Sequence, residues 1–217
     1  MATLEHATLT DPNLHDLKGV ASASNGELPV ATSGATVWKK ATESSIDTTA
    51  GVAKSFLIAD GAGGSSWQML AMGGITNFNA AGVALTSGSN LTTTPWKVDV
   101  ATTASSSMEF TGSATGRLTY TGTKTRHFHI AGDICTSHSA GADRDVIYEI
   151  YKNGVAVPNS RKIRTSSSGS IGSIALHYDF TMAQNDYIEV YVYTTSGNAT
   201  AFLVHQFYFF AMGVPGV

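Results

Sequence analysis

The chain is poor in charge and almost free of cysteine. Charged side chains make up only 13% of its 217 residues, whereas glycine, serine, threonine and alanine are abundant. This composition disfavours long solvent-exposed helices and favours turn-rich β-structure. The single cysteine, Cys135, excludes an intrachain disulfide and any metal site built from several cysteines. We expect Cys135 to be a small residue within a strand.

The sequence also lacks targeting and membrane-spanning signals. Its first residues show neither the basic nor the apolar region of a signal peptide, and no apolar run approaches the length of a membrane-spanning helix. We therefore predict a protein made in a cytoplasm, with no membrane partner. Residues 1–75 carry four basic and seven acidic side chains, and residues 76–217 carry nine of each. Neither part offers the basic face that nucleic-acid binding requires, so we expect no nucleic-acid partner.

No catalytic motif is present. The sequence contains no G-x-S-x-G elbow, no Walker-type Gly-Lys and no H-E-x-x-H, and its carboxylates do not form a recognisable catalytic pair. We therefore predict a protein that is not an enzyme and that needs no cofactor or metal. Four histidines, His127, His129, His177 and His205, lie on strands that we expect to share one sheet. We interpret them as polar fillers of a wet interface, and the alternatives are a metal or anion site or a pH switch.

A weak internal repeat occupies the N-terminal third. Residues 28–38 align with residues 56–67, and each copy contains an apolar strand, a glycine turn and a return strand that carries a tryptophan, Trp38 or Trp67. An isolated two-stranded hairpin is marginally stable in water, so each unit needs a partner surface for its tryptophan. We predict that residues 1–74 form an extended arm with two small Trp-containing β-hairpins that anchor the protein.

From Trp96 onward, turn signals recur roughly every ten residues with period-2 alternation between them, which is typical of a β-sandwich or jelly roll. The segment before it, residues 71–90, is rich in glycine and alanine and is interpreted as a linker or a poorly formed first strand. We place the domain boundary near Gly73 and Gly74, so that residues 75–217 form a separate knob. The predicted fold class is all-β.

The final strand, within residues 199–214, is apolar on both of its faces, which indicates that both faces are covered. One face would be core and the other would meet another subunit. The preceding strand, residues 186–195, has one aliphatic face and one tyrosine-rich face, which also suits a partner surface. The predicted subunit interface therefore contains Tyr191, Tyr193, His205, Phe207 and Phe209.

The order of these segments resembles a known family. The C-terminal part resembles the trimeric jelly-roll knobs of the tumour-necrosis-factor and C1q type that recur in tailed-phage virion proteins. The segments that carry this resemblance are residues 116–122, 127–135, 145–154, 176–182 and 185–192, followed by the aromatic last strand. Leader segments resemble those of phage virion proteins at Leu14-His15, at Lys18-Gly19-Val20 and at Ala59-Asp60-Gly61 with Trp67 after it. The resemblance implies a homotrimer that is part of a virion assembled in the host bacterial cytoplasm.

Within that family the resemblance implies a capsid decoration or cement protein. Its N-terminal region would bind the major capsid protein or another virion protein, and its anchoring residues would be Leu14, His15, Trp38 and Trp67. Two alternatives stay open. The chain would then be a short head or tail fibre whose knob binds a host-surface glycan, or a C1q-like carbohydrate-binding module.

Overall fold

The computed structural model describes residues 27–32, 35–40, 55–59, 65–105, 107–139 and 141–214, with side chains from residue 70 onward. Leu14 and His15, and the side chains of Trp38 and Trp67, lie outside this description. The anchoring role of these four residues therefore stays a prediction.

Every regular element in the described residues is a β-strand. The strands are β1 (Glu27–Thr32), β2 (Ala35–Lys40), β3 (Ser55–Ala59), β4 (Ser65–Met69), β5 (Met72–Val83), β6 (Trp96–Lys97), β7 (Thr103–Ala104), β8 (Phe110–Gly112), β9 (Arg117–Tyr120), β10 (Arg126–Ser137), β11 (Arg144–Lys152), β12 (Val155–Ala156), β13 (Lys162–Ser166), β14 (Gly172–Met182), β15 (Tyr187–Thr194) and β16 (Leu203–Gly213). The described part of the chain contains no helix long and apolar enough to cross a membrane.

The chain divides into two compact units, residues 1–57 and 58–217. In the first unit, β1 and β2 pair antiparallel. A second two-stranded sheet is formed by β3 and β4. In the second unit, the segment predicted as a linker or weak strand is the long strand β5, whose residues from Met72 to Phe78 pair with β16. The predicted boundary after residue 74 therefore falls inside a strand of the sandwich.

Two sheets make up the sandwich of the second unit. Sheet I has the strand order β14-β10-β16-β5-β7, and sheet II has the order β12-β11-β15-β9-β8, with β13 paired to β11 and β6 paired to β15. Along the chain the long strands pass from one sheet to the other, from β5 to β9, β10, β11, β14, β15 and finally β16. This exchange between two antiparallel sheets is the jelly-roll topology. The predicted all-β jelly roll is thereby confirmed.

The core lies between the sheets and follows the period-2 rule. Sheet II contributes aliphatic residues such as Ile188, Val190 and Val192, which are completely buried. At one end, the rings of Phe110, Tyr120 and Phe128 pack with centroids 4.9–5.3 Å apart. Burying each such side chain stabilises the fold by about 1.5–3 kcal/mol.

The last strand corrects the predicted subunit interface. Phe207 and Phe209 are both 0% exposed within the single chain, so they belong to its own core and are not available to a partner. The reason is a β-bulge, because the pairing of β16 with β10 and with β5 shifts between Val204 and Gln206. One extra residue, His205, reverses the alternation of the two faces, and the outward side chains after it are Gln206, Tyr208, Phe210 and Met212.

Candidate functional site

The outward side of sheet I carries an apolar strip on its central strand, β16. Tyr208 and Met212 are 39% and 38% exposed, and between them lies Phe210, whose ring centroid is 5.6 Å from that of Tyr208. Side chains that are opposite each other in register share one face of a sheet. We call this outward side of sheet I face I. Its members are Met72, Gly74, Thr76 and Phe78 on β5, His127, His129, Ala131, Asp133 and Cys135 on β10, Ser173, Ala175, His177, Asp179 and Thr181 on β14, and Gln206, Tyr208, Phe210 and Met212 on β16.

Small residues flank the ring of Phe210. In register, Phe210 lies opposite Ala131 on one side and Gly74 on the other. A Cβ atom added at Gly74 would lie 3.1 Å from the Cβ atom of Phe210 and 2.9 Å from Ser105 Oγ, so the position has no room for a larger side chain. The ring of Phe210 therefore has small residues on both sides, with Ser105 covering Gly74, and it is itself half-buried.

The two ends of face I differ in polarity. At one end, opposite Gln206, lies Phe78, which at 76% is the most exposed large apolar side chain of the described residues. Beside Gln206 on β10 lies Cys135, a free thiol whose pKa is raised by burial and by the carboxylate of Asp133. Cys135 is thus a half-buried strand residue, as predicted, and it stays protonated at neutral pH.

The other end of face I contains three of the predicted histidines, His127, His129 and His177, together with an aspartate. His129 on β10 lies opposite Asp179 on β14, and its Nδ1 is 2.7 Å from Asp179 Oδ1. Because the carboxylate accepts, Nδ1 carries the proton of this hydrogen bond. The ring of His177 is 5.7 Å from that of His129. The prediction that these histidines share a sheet with His205 is correct for the backbone.

His205 itself is not on face I. It is 8% exposed at the β-bulge of β16, where its Nδ1 is 3.2 Å from the carbonyl oxygen of Ala80 and its Nε2 is 2.8 Å from Ser137 Oγ. Since the carbonyl only accepts, Nδ1–H donates to Ala80. Gly82 has φ +79° and approaches this ring so closely that an added Cβ would lie 2.9 Å from His205 Cε1. We therefore assign His205 to holding the bulge in place, and not to a subunit interface.

The outward side of sheet II holds the two predicted tyrosines. Tyr191 and Tyr193 lie on β15 with their side chains half-buried, away from the core, and Tyr151 on β11 stacks on Tyr191 with ring centroids 3.9 Å apart. We call the outward side of sheet II face II, formed by Lys97, Arg117, Glu149, Tyr151, Tyr187, Glu189, Tyr191, Tyr193 and Arg161. The structure thus separates Tyr191 and Tyr193 from the β16 residues with which they were predicted to form one interface.

Face II is built around a carboxylate that points away from the core but is not exposed. The side chain of Glu189 is only 2% exposed, and its Oε1 accepts from Lys97 Nζ at 3.1 Å and from Arg117 Nε at 2.8 Å. The Arg117 guanidinium also lies over the ring of Tyr187, 3.8 Å from its centroid. A buried carboxylate needs such partners because losing its hydration costs several kcal/mol. No motif marked these partners in the sequence; only the alternation of β15 places Glu189 among the tyrosines.

A second carboxylate on face II contributes to the raised pKa of a tyrosine. The hydroxyl of Tyr193 donates to Glu149 Oε2 at 2.8 Å. Burial, followed by this hydrogen bond and the negative charge of Glu149, raises the pKa of Tyr193 to about 12. The Arg161 guanidinium lies 5.5 Å from the same ring centroid. The pKa values of Tyr151 and Tyr191 are raised as well, chiefly by burial, so all three hydroxyls remain hydrogen-bond donors well above neutral pH.

Neither face forms a metal centre within one chain. Among the described residues, no group of three or more His, Cys, Asp or Glu side chains is placed to hold a metal ion. The arrangement instead offers an apolar surface with a polar flank on sheet I and a polar aromatic surface on sheet II.

Comparisons with known proteins give structural likeness alone. No protein-family model matches the chain, and no curated protein matches it. Among solved structures, the globular domain of a zebrafish complement 1qA protein is similar with a TM-score of 0.47 at 7% identity, over 68% of this chain and 98% of that one. Murine APRIL at pH 5.0 (TM-score 0.41, 10% identity, 67% and 99%) and Eiger TNF from S. frugiperda (0.43, 10%, 68% and 94%) are also similar. The jelly-roll assignment is made from the strand order of this chain.

Proposed function

We propose that this chain is a non-catalytic structural protein that assembles as a homotrimer through face I. The observation that carries the proposal is the outward apolar strip on the central strand of sheet I, whose other side is used by the core. In this strip Tyr208 and Met212 are exposed and Phe210 between them is half-buried. Contiguous exposed apolar surface on one face of a sheet is a feature of protein–protein contact sites. Phe78 extends the patch on the neighbouring strand.

A second copy is the partner that suits this face best. Only the flank of face I carries charge, and its centre contains apolar and small side chains with the hydroxyl of Tyr208 among them. Aromatic and methionine side chains with little charge are typical of the buried centre of subunit interfaces. Burying the exposed part of the three strip side chains contributes about 25 cal/mol per Å² of apolar surface, and a symmetric trimer buries this surface in all three chains.

The test is the oligomeric state of the full chain. Sedimentation velocity or light scattering at micromolar concentration is expected to give the mass of three chains, and Phe210→Asp is expected to give one, because burial of an unpaired carboxylate is costly. Asp143→Asn, a charge change in an exposed loop outside both faces, serves as the control for altered net charge. A monodisperse monomer of the unaltered chain would rule the trimer out.

The setting that we propose for the trimer is a tailed-phage virion, as a capsid decoration or cement protein. This part is supported by the sequence resemblance of the leader and by the two small two-stranded sheets, which are marginal in water without a partner surface. In this role the N-terminal region binds the major capsid protein or another virion protein through Leu14, His15, Trp38 and Trp67. Alanine at Trp38 or Trp67 is then expected to reduce attachment to particles while leaving the trimer intact. Attachment that is unchanged in both variants would refute the anchor.

A second candidate function, glycan binding by the knob, is favoured by face II. Its tyrosine hydroxyls, the second oxygen of Glu149 and the Arg161 guanidinium form a dense set of donors and acceptors around aromatic rings, which suits a polyhydroxylated ligand. Arg161→Gln and Tyr151→Phe would weaken binding to immobilised oligosaccharides if this function is real, with Lys124→Gln, outside face II, as the matched control. Copy number in purified particles separates the two roles, because a cement protein is present in far more copies than a fibre.

A further inference from the structure

We propose that association through face I depends on pH. The association constant of the trimer rises as the pH falls from 8 to 6, because protonation of two histidines neutralises the charge of two aspartates beside the apolar strip. The inference rests on the proposed trimer and assigns a regulation to its interface. The groups concerned are His129 and His177 together with Asp133 and Asp179.

These four side chains are neighbours on two adjacent strands. His129 and Asp179 are opposite each other and joined at 2.7 Å. His177 lies opposite Ala131, which places it next to Asp179 along β14 and diagonally next to Asp133 across the strands. Diagonal neighbours in an antiparallel pair are about 7–8 Å apart. Each imidazole therefore has a carboxylate next to it on the sheet: Asp179 is opposite His129, and Asp133 is diagonal to His177.

The cluster adjoins the strip that the proposed interface buries. In register, His129 lies opposite Met212 and Asp133 lies opposite Tyr208, whereas Ala131, the partner of His177, lies opposite Phe210. Association would thus bring the cluster of one copy close to the faces of the others. Charges there act across a partly dehydrated contact, where Coulomb interactions are stronger than in bulk water.

The sign of the effect follows from the charges on face I. Its titratable side chains are His127, His129, His177, Asp133, Asp179, Cys135 and Tyr208. Histidine is the residue type whose charge ordinarily changes between pH 5 and 8. Without charge on its imidazoles, face I carries the negative charges of Asp133 and Asp179 alone. Like faces then repel each other. Protons on His129 and His177 balance the negative charges of the two carboxylates, so the repulsion between faces disappears. A further proton on His127, or protonation of the carboxylates, makes the face positive.

Linkage sets the size of the response. If each chain takes up one proton on assembly, the trimer takes up three, and the association constant rises by up to about a thousandfold per pH unit above the imidazole range. Because part of this charge is solvent-exposed, with 37% of the His129 side chain and 57% of the Asp179 side chain accessible, we expect a rise of at least tenfold between pH 8 and pH 6. Since exposed charges are screened by salt, the rise is expected at low ionic strength and should vanish at about 1 M salt.

The experiment is sedimentation equilibrium of the full chain at pH 8, 7 and 6, in low and high salt, with folding checked by circular dichroism. The double variant Asp133→Asn, Asp179→Asn is expected to associate at pH 8 as tightly as the unaltered chain does at pH 6. His177→Gln is expected to lose much of the gain at pH 6. Asp143→Asn, which removes one negative charge from an exposed loop outside face I, is expected to keep the full pH response.

The outcomes separate the switch from the trimer. A trimer whose association constant is the same at all three pH values, or a double variant that is no tighter at pH 8, overturns the proton dependence and leaves the proposed trimer standing. A chain that stays monomeric in every condition overturns both. An equal gain in Asp143→Asn and in the double variant would show that overall net charge, and not this cluster, is responsible, and would also overturn the switch.

Discussion

Adjacent phenylalanines on β16 allow the fold and the proposed assembly to be tested separately. Phe209 is completely buried in the core, whereas Phe210 lies on face I. Replacing a buried phenylalanine by alanine costs about 3–5 kcal/mol through lost burial and the cavity that remains. For a domain of this size, each kcal/mol lowers the unfolding temperature by about 2–4 °C. Phe209→Ala is therefore expected to lower it by roughly 6–20 °C.

Phe210→Ala is expected to behave in the opposite way. In the isolated chain its ring is half-buried and flanked by small residues, so the variant should lose no more than about 1 kcal/mol of folding free energy. In a trimer the contact of the exposed part of this ring is lost in all three chains. At about 1 kcal/mol for each chain, the substitution weakens association about a hundredfold. The two effects are separated by calorimetry and sedimentation across a range of protein concentrations, because assembly makes the unfolding temperature depend on concentration.

The results that would refute this assignment are specific. If Phe210→Ala leaves the association constant unchanged, face I is not the contact between copies. If Phe209→Ala dissociates the trimer without lowering the unfolding temperature of the monomer, then the bulge at His205 does not set the two faces as described. Leu118→Ala, a core change on sheet II, is the control that should lower thermal stability as Phe209→Ala does.

Further predictions concern face II and one turn. Because the pKa of Tyr193 is raised to about 12, folding stability that is present below pH 10 is expected to be lost as pH rises towards 12, and Tyr193→Phe should remove this part of the alkaline loss seen in unfolding titrations. Glu189→Gln is expected to cost about 2 kcal/mol, since it breaks charged hydrogen bonds of a buried carboxylate, as measured by urea unfolding. Gly116→Ala is expected to lower the unfolding temperature markedly, because φ is +74° and the added Cβ would lie 2.1 Å from the carbonyl oxygen of Val98. An unaltered melting curve for Gly116→Ala would show that this turn adapts freely.

Much of the fold was predictable because strand patterns are local. Alternation of apolar and polar residues, together with frequent turn signals, was enough to predict an all-β jelly roll in the C-terminal part. For β5 the sequence left a linker and a poorly formed first strand as alternatives, because its glycines and alanines give a weak strand signal. Its glycines are explained by close contacts instead: at Gly73 an added Cβ would lie 2.4 Å from the Cβ atom of Phe110, and at Gly74 the neighbouring side chains leave no space. Only the tertiary contacts reveal this.

The candidate surface was harder to predict than the fold, because one inserted residue moves every later side chain of a strand to the other face. Phe202 and Val204 have the same parity as Tyr208 and Phe210 in the sequence, yet the first two are buried in the core. The single residue His205 breaks this parity, and nothing in its type signals a bulge. What holds the bulge is non-local, since the ring is bonded to Ala80 and Ser137, which are 125 and 68 residues away. A period-2 argument is therefore reliable for the existence of two apolar faces on β16, but the identity of the face open to a partner is decided by contacts that only the folded chain makes.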